Sequence, residues 1–85
     1  MERTPVESSN VCAVAYDPQA EVMEVEFGKG TEPGEVGNRV YRYTQVPAHV
    51  HEELMDAPSV GSFLNEKVAF EFPYELLGKV EDLEP

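Results

Sequence analysis

Residues 40–65, VYRYTQVPAHVHEELMDAPSVGSFLN, decide how this chain folds. Val40, Tyr41, Tyr43 and Thr44 are β-branched or aromatic, with Arg42 among them, which suits a pleated and partly buried strand. Strand side chains alternate between faces, so Tyr41 and Tyr43 share one. Pro47 lacks a backbone N–H and has a fixed φ. It ends the ladder and fits the first turn of a helix, where that donor would be unpaired anyway. The helix that follows presents Val50, Leu54 and Ala57 along one stripe and turns Glu52, Glu53 and Asp56 to water. Pro58 stops it. Ser59 is the N-cap of a second helix, which carries Val60, Phe63, Leu64 and Val68 on one side. Val46 is a poor cap for the first helix, and Ser62 stands where a capping box would place Glu or Gln.

Ahead of this stretch, VCAVAY (11–16) reads as a strand with Cys12, Val14 and Tyr16 on one face. Asp17 and Pro18 fit a type I turn. In EVMEVEF (21–27), Met23, Val25 and Phe27 alternate with Glu24 and Glu26, the pattern of an antiparallel strand with one solvated face. Residues 28–37, GKGTEPGEVG, have no periodicity and read as a mobile loop. Residues 1–9 form a polar lead-in, extended at Pro5. Behind the helices, AFEFPYELL (69–77) is either a short strand or an irregular segment packing Phe70, Phe72 and Tyr74, with Pro73 arguing against a central strand. The acidic tail 78–85 is expected to fray. The expected fold class is α+β: a single domain over 1–85, with a three-stranded antiparallel β-meander followed by two short α-helices on one face and a short C-terminal strand left open.

At 85 residues and 41% hydrophobic content, the chain has limited room for buried machinery. It has no apolar run of signal-peptide or membrane-span length, so a cytoplasmic protein with no membrane partner is expected. Cys12 is the single cysteine; an internal disulfide is ruled out, and a small buried hydrophobe is the expected role. Against 6 Lys and Arg stand 17 Asp and Glu, a formal net charge of -11. A surface of that sign repels nucleic acid and anionic membrane, and only a local basic or stacking site overcomes it. Three readings of the acidity stay open: solubility, adaptation to a salt-rich cytoplasm, and a partner with a basic surface. The few lysines, Lys29, Lys67 and Lys79, keep the halophilic reading in view.

Little in the sequence spells catalysis. His51 and Glu52 begin as a zincin helix would, but position 55 is Met, so the second histidine of HExxH is missing. His49 and His51 diverge on a helix and read as solvated. GKGT (28–31) lacks both the upstream glycine of a phosphate loop and the Ser or Thr after its lysine, and reads as a turn. Glu24 and Glu26 read as a solvated strand face. No metal, cofactor or catalytic residue is assigned, and a non-enzyme is expected. The binding candidates are Ser9, Tyr41, Arg42, Tyr43, Ser59 and Asn65. Two tyrosines on one strand face form either a stacking platform for bases, with arginine supplying charge, or part of the core under a helix. Ser9, Ser59 and Asn65 have turn and capping roles as their plain alternative.

Several short matches in order give the chain a family likeness: RTPVESSNV at 3–11, YDP at 16–18, VEF at 25–27, VYRY at 40–43, VP at 46–47, LMDAPSVGSFLN at 54–65 and FPYELL at 72–77. It resembles the KTSC domain family, found at the C-terminus of some lysyl-tRNA synthetases and as free-standing small bacterial proteins. Tyr41 and Tyr43 correspond to that family's YxY feature. The chain departs from the family pattern in a longer turn before YxY and in fewer basic residues around SVGSFLN and VAFEFPY. The resemblance implies a small RNA-binding or translation-associated module using Tyr41, Arg42, Tyr43 and Asn65. The acidity suggests a different class, a protein-interaction module meeting a basic partner through its surface and the 28–37 loop. The sequence leaves the oligomeric state open.

Overall fold

The computed structural model describes residues 3–83. Five strands, β1 (Thr4–Pro5), β2 (Val11–Asp17), β3 (Val22–Phe27), β4 (Arg39–Tyr43) and β5 (Tyr74–Lys79), form one antiparallel sheet in chain order. Helix α1 spans Ala48–Asp56. Helix α2 (Val60–Phe63) runs on as a π-helical stretch, Leu64–Val68, and α3 is the short turn Val80–Leu83. The α+β class and the meander stand as expected. Among the described residues the sheet has five strands rather than three, one of them the C-terminal strand that the sequence left open, and there are three short helices rather than two.

Both added strands lie at edges, and both are there for local reasons. Part of the polar lead-in is β1, in which Pro5 pairs with Ala13 at the sheet margin, where a missing N–H is tolerated. In β5, Pro73 stops one residue short of the strand and contributes only its carbonyl, which accepts from the Thr44 N–H at 3.0 Å. The tail does not fray over 78–83. Gly78 and Lys79 belong to β5, and Val80 is 1% exposed, its N–H donating to the Asn38 carbonyl. Residues 84 and 85, and residues 1 and 2 of the lead-in, lie outside the described residues.

One sheet face carries the core: Val14, Met23, Val25 and Tyr43 pack with Val46 of the corner and with Val50, Leu54, Val60, Leu64 and Val68 of the helices. The expected stripes account for these helical positions. Pro47 occupies the N-cap itself, with no side-chain cap bond, whereas Ser59 Oγ accepts from the Ser62 N–H at 3.3 Å. The corner is pinned by the Tyr16 hydroxyl, which donates to the Val46 carbonyl at 2.6 Å. His51 is half-buried rather than fully solvated: its ring stacks on Tyr16 at 4.6 Å between centroids, and burial holds its pKa below the ordinary value. His49 is exposed.

The other face corrects three expectations. Glu26 is 1% exposed, because residues 28–37 fold over it rather than standing off as a mobile loop. Its Oε2 accepts from the Gly34 N–H at 2.7 Å and from Asn38 Nδ2 at 2.8 Å, and Arg3 Nε lies 3.3 Å from Oε1. A glycine-rich segment offers open backbone donors, and a buried carboxylate requires them. Cys12 is buried as expected, yet it does not share a face with Val14 and Tyr16. A register shift between Val11 and Ala13 turns its thiol to the loop, where it donates to the carbonyls of Thr31 and Gly28.

Candidate functional site

An open cleft of about 440 Å³ lies where β3 and β4 meet the two ends of the 28–37 loop. Its floor is aromatic. The ladder pairs Met23 with Tyr43, Val25 with Tyr41 and Phe27 with Arg39, so alternation places Phe27, Tyr41 and Tyr43 on one face with Arg39 beside them. The rings of Phe27 and Tyr41 meet edge to face at 5.5 Å, and Tyr74 on β5 continues the row at 6.0 Å from Tyr41 and 5.9 Å from Tyr43. Tyr74 is 59% exposed. Tyr43, at 5% exposed, belongs to the core as well, and its hydroxyl pKa is raised, first by burial and then by the neighbouring phenols of Tyr41 and Tyr74. Tyr41 is half-buried.

The walls come from the loop ends. Gly28 and Gly37 bring bare backbone to the cleft beside Asn10 and Lys29. Gly28 is held by its N–H bond to the Asn10 carbonyl at 2.9 Å, and a Cβ there would collide with Thr31 Oγ1 and Asn38 Oδ1. Gly37 has φ +97°, the left-handed region, and its N–H donates to Glu81 Oε1 at 3.0 Å. That bond is the main cause holding the Glu81 carboxyl below its usual range. Among the described residues, the charged side chains lining the cleft are Lys29 and Arg39, and no carboxylate lines it. Among the described residues neither cation makes an ion pair. The arrangement suits a planar group lying on the rings with an anionic substituent reaching the cations.

The residues singled out from sequence divide around this cleft. Tyr41 and Tyr43 line it. Arg42 does not, since alternation sends it to the opposite face, where Nη2 lies 3.2 Å from Glu24 and Nη1 3.8 Å from Glu75. Ser9 is exposed at the rim, its carbonyl accepting from the Gly30 N–H at 3.2 Å next to Asn10. Ser59 serves as the cap of α2, and Asn65 is exposed on the π-helical stretch; neither lines the cleft. Asn10, Phe27, Lys29 and Arg39 were not among the sequence candidates. Phe27 was legible as a residue of the same face as Tyr41, but the two cations are separated by the loop and meet only once it closes.

Among the described residues, no group of three or more His, Cys, Asp or Glu side chains is placed to hold a metal, and no helix is long and apolar enough to cross a membrane.

The profile of the KTSC domain matches residues 7–72. An uncharacterized protein of Stutzerimonas stutzeri is 35% identical over 66 residues, covering 78% of this chain and 82% of its own. A lysine–tRNA ligase of a Nostoc species is 34% identical over 71 residues, which is 84% of this chain but 11% of the ligase. The crystal structure of a KTSC domain protein from Yersinia pestis superposes with a TM-score of 0.76 at 28% identity, covering 91% of this chain and 97% of that one.

Proposed function

This chain belongs to the KTSC domain family, and on that premise we propose that it is a small non-catalytic module that binds single-stranded RNA in the cleft over Phe27 and Tyr41. The observation that carries the reading is the composition of the cleft. In a protein with a formal net charge of -11, an aromatic floor is bordered by Lys29 and Arg39 and, among the described residues, by no carboxylate. Single-stranded nucleic acid is held by this pairing of stacking rings with backbone-tracking cations, and stacking tolerates any base because every base has a π-face. The surrounding carboxylates repel a duplex or a long polyanion, so the reading favours a short, splayed segment. The relatives within lysine–tRNA ligases support a place near translation.

The test is fluorescence anisotropy with a labelled six-nucleotide RNA at low salt. Tyr41→Ala is expected to weaken binding by about 1–3 kcal/mol, the worth of one base–aromatic stack. An affinity unchanged by Tyr41→Ala would remove the cleft from consideration.

A second reading, a basic protein partner, draws support from Val36, 75% exposed on the loop between Glu35 and Gly37. Titration with a lysine- and leucine-rich peptide should then shift Val36 and Glu35. If those resonances stay still while the RNA moves Tyr41, the basic-partner reading falls.

A further inference from the structure

The ladder between β4 and β5 sets Arg39 opposite Lys79. Residues directly opposite on antiparallel strands share a face with their Cβ atoms about 4.5–5.5 Å apart, and like charges there destabilise the sheet. The other charged row alternates in sign, Glu24 to Arg42 to Glu75, as a stabilising ladder should. The chain has only 6 cations against 17 acidic residues. Two of those cations facing each other across one ladder therefore run against what stability alone would select. Arg39 and Lys29 line the cleft, and Lys79, which does not line it, stands opposite Arg39 in the ladder just beyond the register shift between Val40 and Tyr41. The carboxylate nearest in the chain is Glu81, which accepts from the Gly37 N–H and also feels the charge of Lys79, though among the described residues neither Arg39 nor Lys79 lies within ion-pair distance of a carboxylate.

We propose that Arg39 and Lys79 form a phosphate subsite at the β5 edge of the cleft, in which one anionic group lies between the guanidinium and the ammonium. An anion there turns a repulsive pair into two attractive ones, with Arg39 supplying a planar fork and Lys79 a point charge. The position of the base, on Tyr41, rests on the RNA reading; the phosphate chemistry rests on the cation pair. The phosphate is either a backbone diester of RNA or that of a free mononucleotide.

The experiment measures RNA affinity between 50 and 200 mM salt for the wild type, Lys79→Gln and Lys67→Gln, the last removing a cation from the π-helical stretch. In parallel, inorganic phosphate is titrated while the Arg39 Nε–H resonance is followed. Lys79→Gln is expected to reduce the log–log salt slope by about 0.7, the share of one phosphate contact on a single strand, whereas Lys67→Gln leaves it unchanged. Lys79→Gln is also expected to melt about 1–2 °C above Lys67→Gln, because only the former relieves repulsion with Arg39. A variant that gains stability and loses binding together is not explained by a structural role. RNA that still moves Tyr41 with the same salt slope in Lys79→Gln overturns the subsite and leaves the RNA reading standing. Phosphate that moves Arg39 in the wild type but not in Lys79→Gln, in the absence of RNA binding, upholds the subsite for a free phosphate and removes the RNA reading. If neither probe acts, both fall.

Discussion

At the scale of single residues, the two tyrosines of β4 have different work although they share a face. Tyr43 is 5% exposed and packs in the cluster with Met23, Leu54 and Leu64, whereas Tyr41 is half-buried and open to the cleft. Tyr43→Ala should therefore destabilise the domain by roughly 3–5 kcal/mol, the range for deleting a buried aromatic. Chemical denaturation checks this, and Tyr41→Ala should be the milder change. His51 adds a pH dependence. Burial against Tyr16 lowers its folded pKa below the ordinary 6.5, so the unfolded chain takes up the proton first. This contribution is complete above about pH 6.5 and is lost as pH falls through the lowered folded value. His51→Phe should flatten that part of the stability profile relative to the wild type, and parallel profiles for the two would contradict it.

At the scale of elements, the 28–37 loop is the feature the rest of the site depends on. It buries Glu26, receives the Cys12 thiol and ends in the two glycines that wall the cleft. Gly28→Ala should lose both stability and RNA affinity, since its Cβ would collide with Thr31 and Asn38. Gly30→Ala, with open space around it and φ +68°, should lose only about 1 kcal/mol of stability. A thermal melt of the two variants checks the contrast. The same loop marks the limit of what the sequence disclosed. Alternation in 21–27 and 40–44 and the stripes of Val50, Leu54, Leu64 and Val68 are local patterns, and they yielded the meander and the covering helices. Glu26 alternates like a solvated residue, and nothing local reveals that Asn38 and Gly34 return to cap it. Arg42 sits between Tyr41 and Tyr43 in the chain, and its neighbours drew it into the candidate site, yet the period of two that pairs the tyrosines excludes it. The β1 and β5 edges were obscured by prolines, which are admissible at a sheet margin.

At the scale of the whole molecule, charge acts in opposite directions on folding and on binding. With a net charge of -11, self-repulsion weakens as salt screens it over about 10 Å at 0.1 M, so the melting temperature should rise with added salt. RNA affinity should fall over the same range as counterion release loses its advantage. A melting temperature indifferent to salt would remove the halophilic reading of the acidity and leave the cleft untouched. On this acidic surface the cleft over Phe27 and Tyr41 is the place fitted for an anionic, base-bearing ligand. An amide NMR titration of the labelled protein with a short single-stranded RNA at low salt decides whether that ligand binds there. Shifts are expected at Phe27, Lys29, Arg39 and Tyr41 that shrink as salt is raised, with Ser59 and Asn65 unmoved. Shifts confined to Ser59–Asn65, or a spectrum that does not move at all, would contradict it.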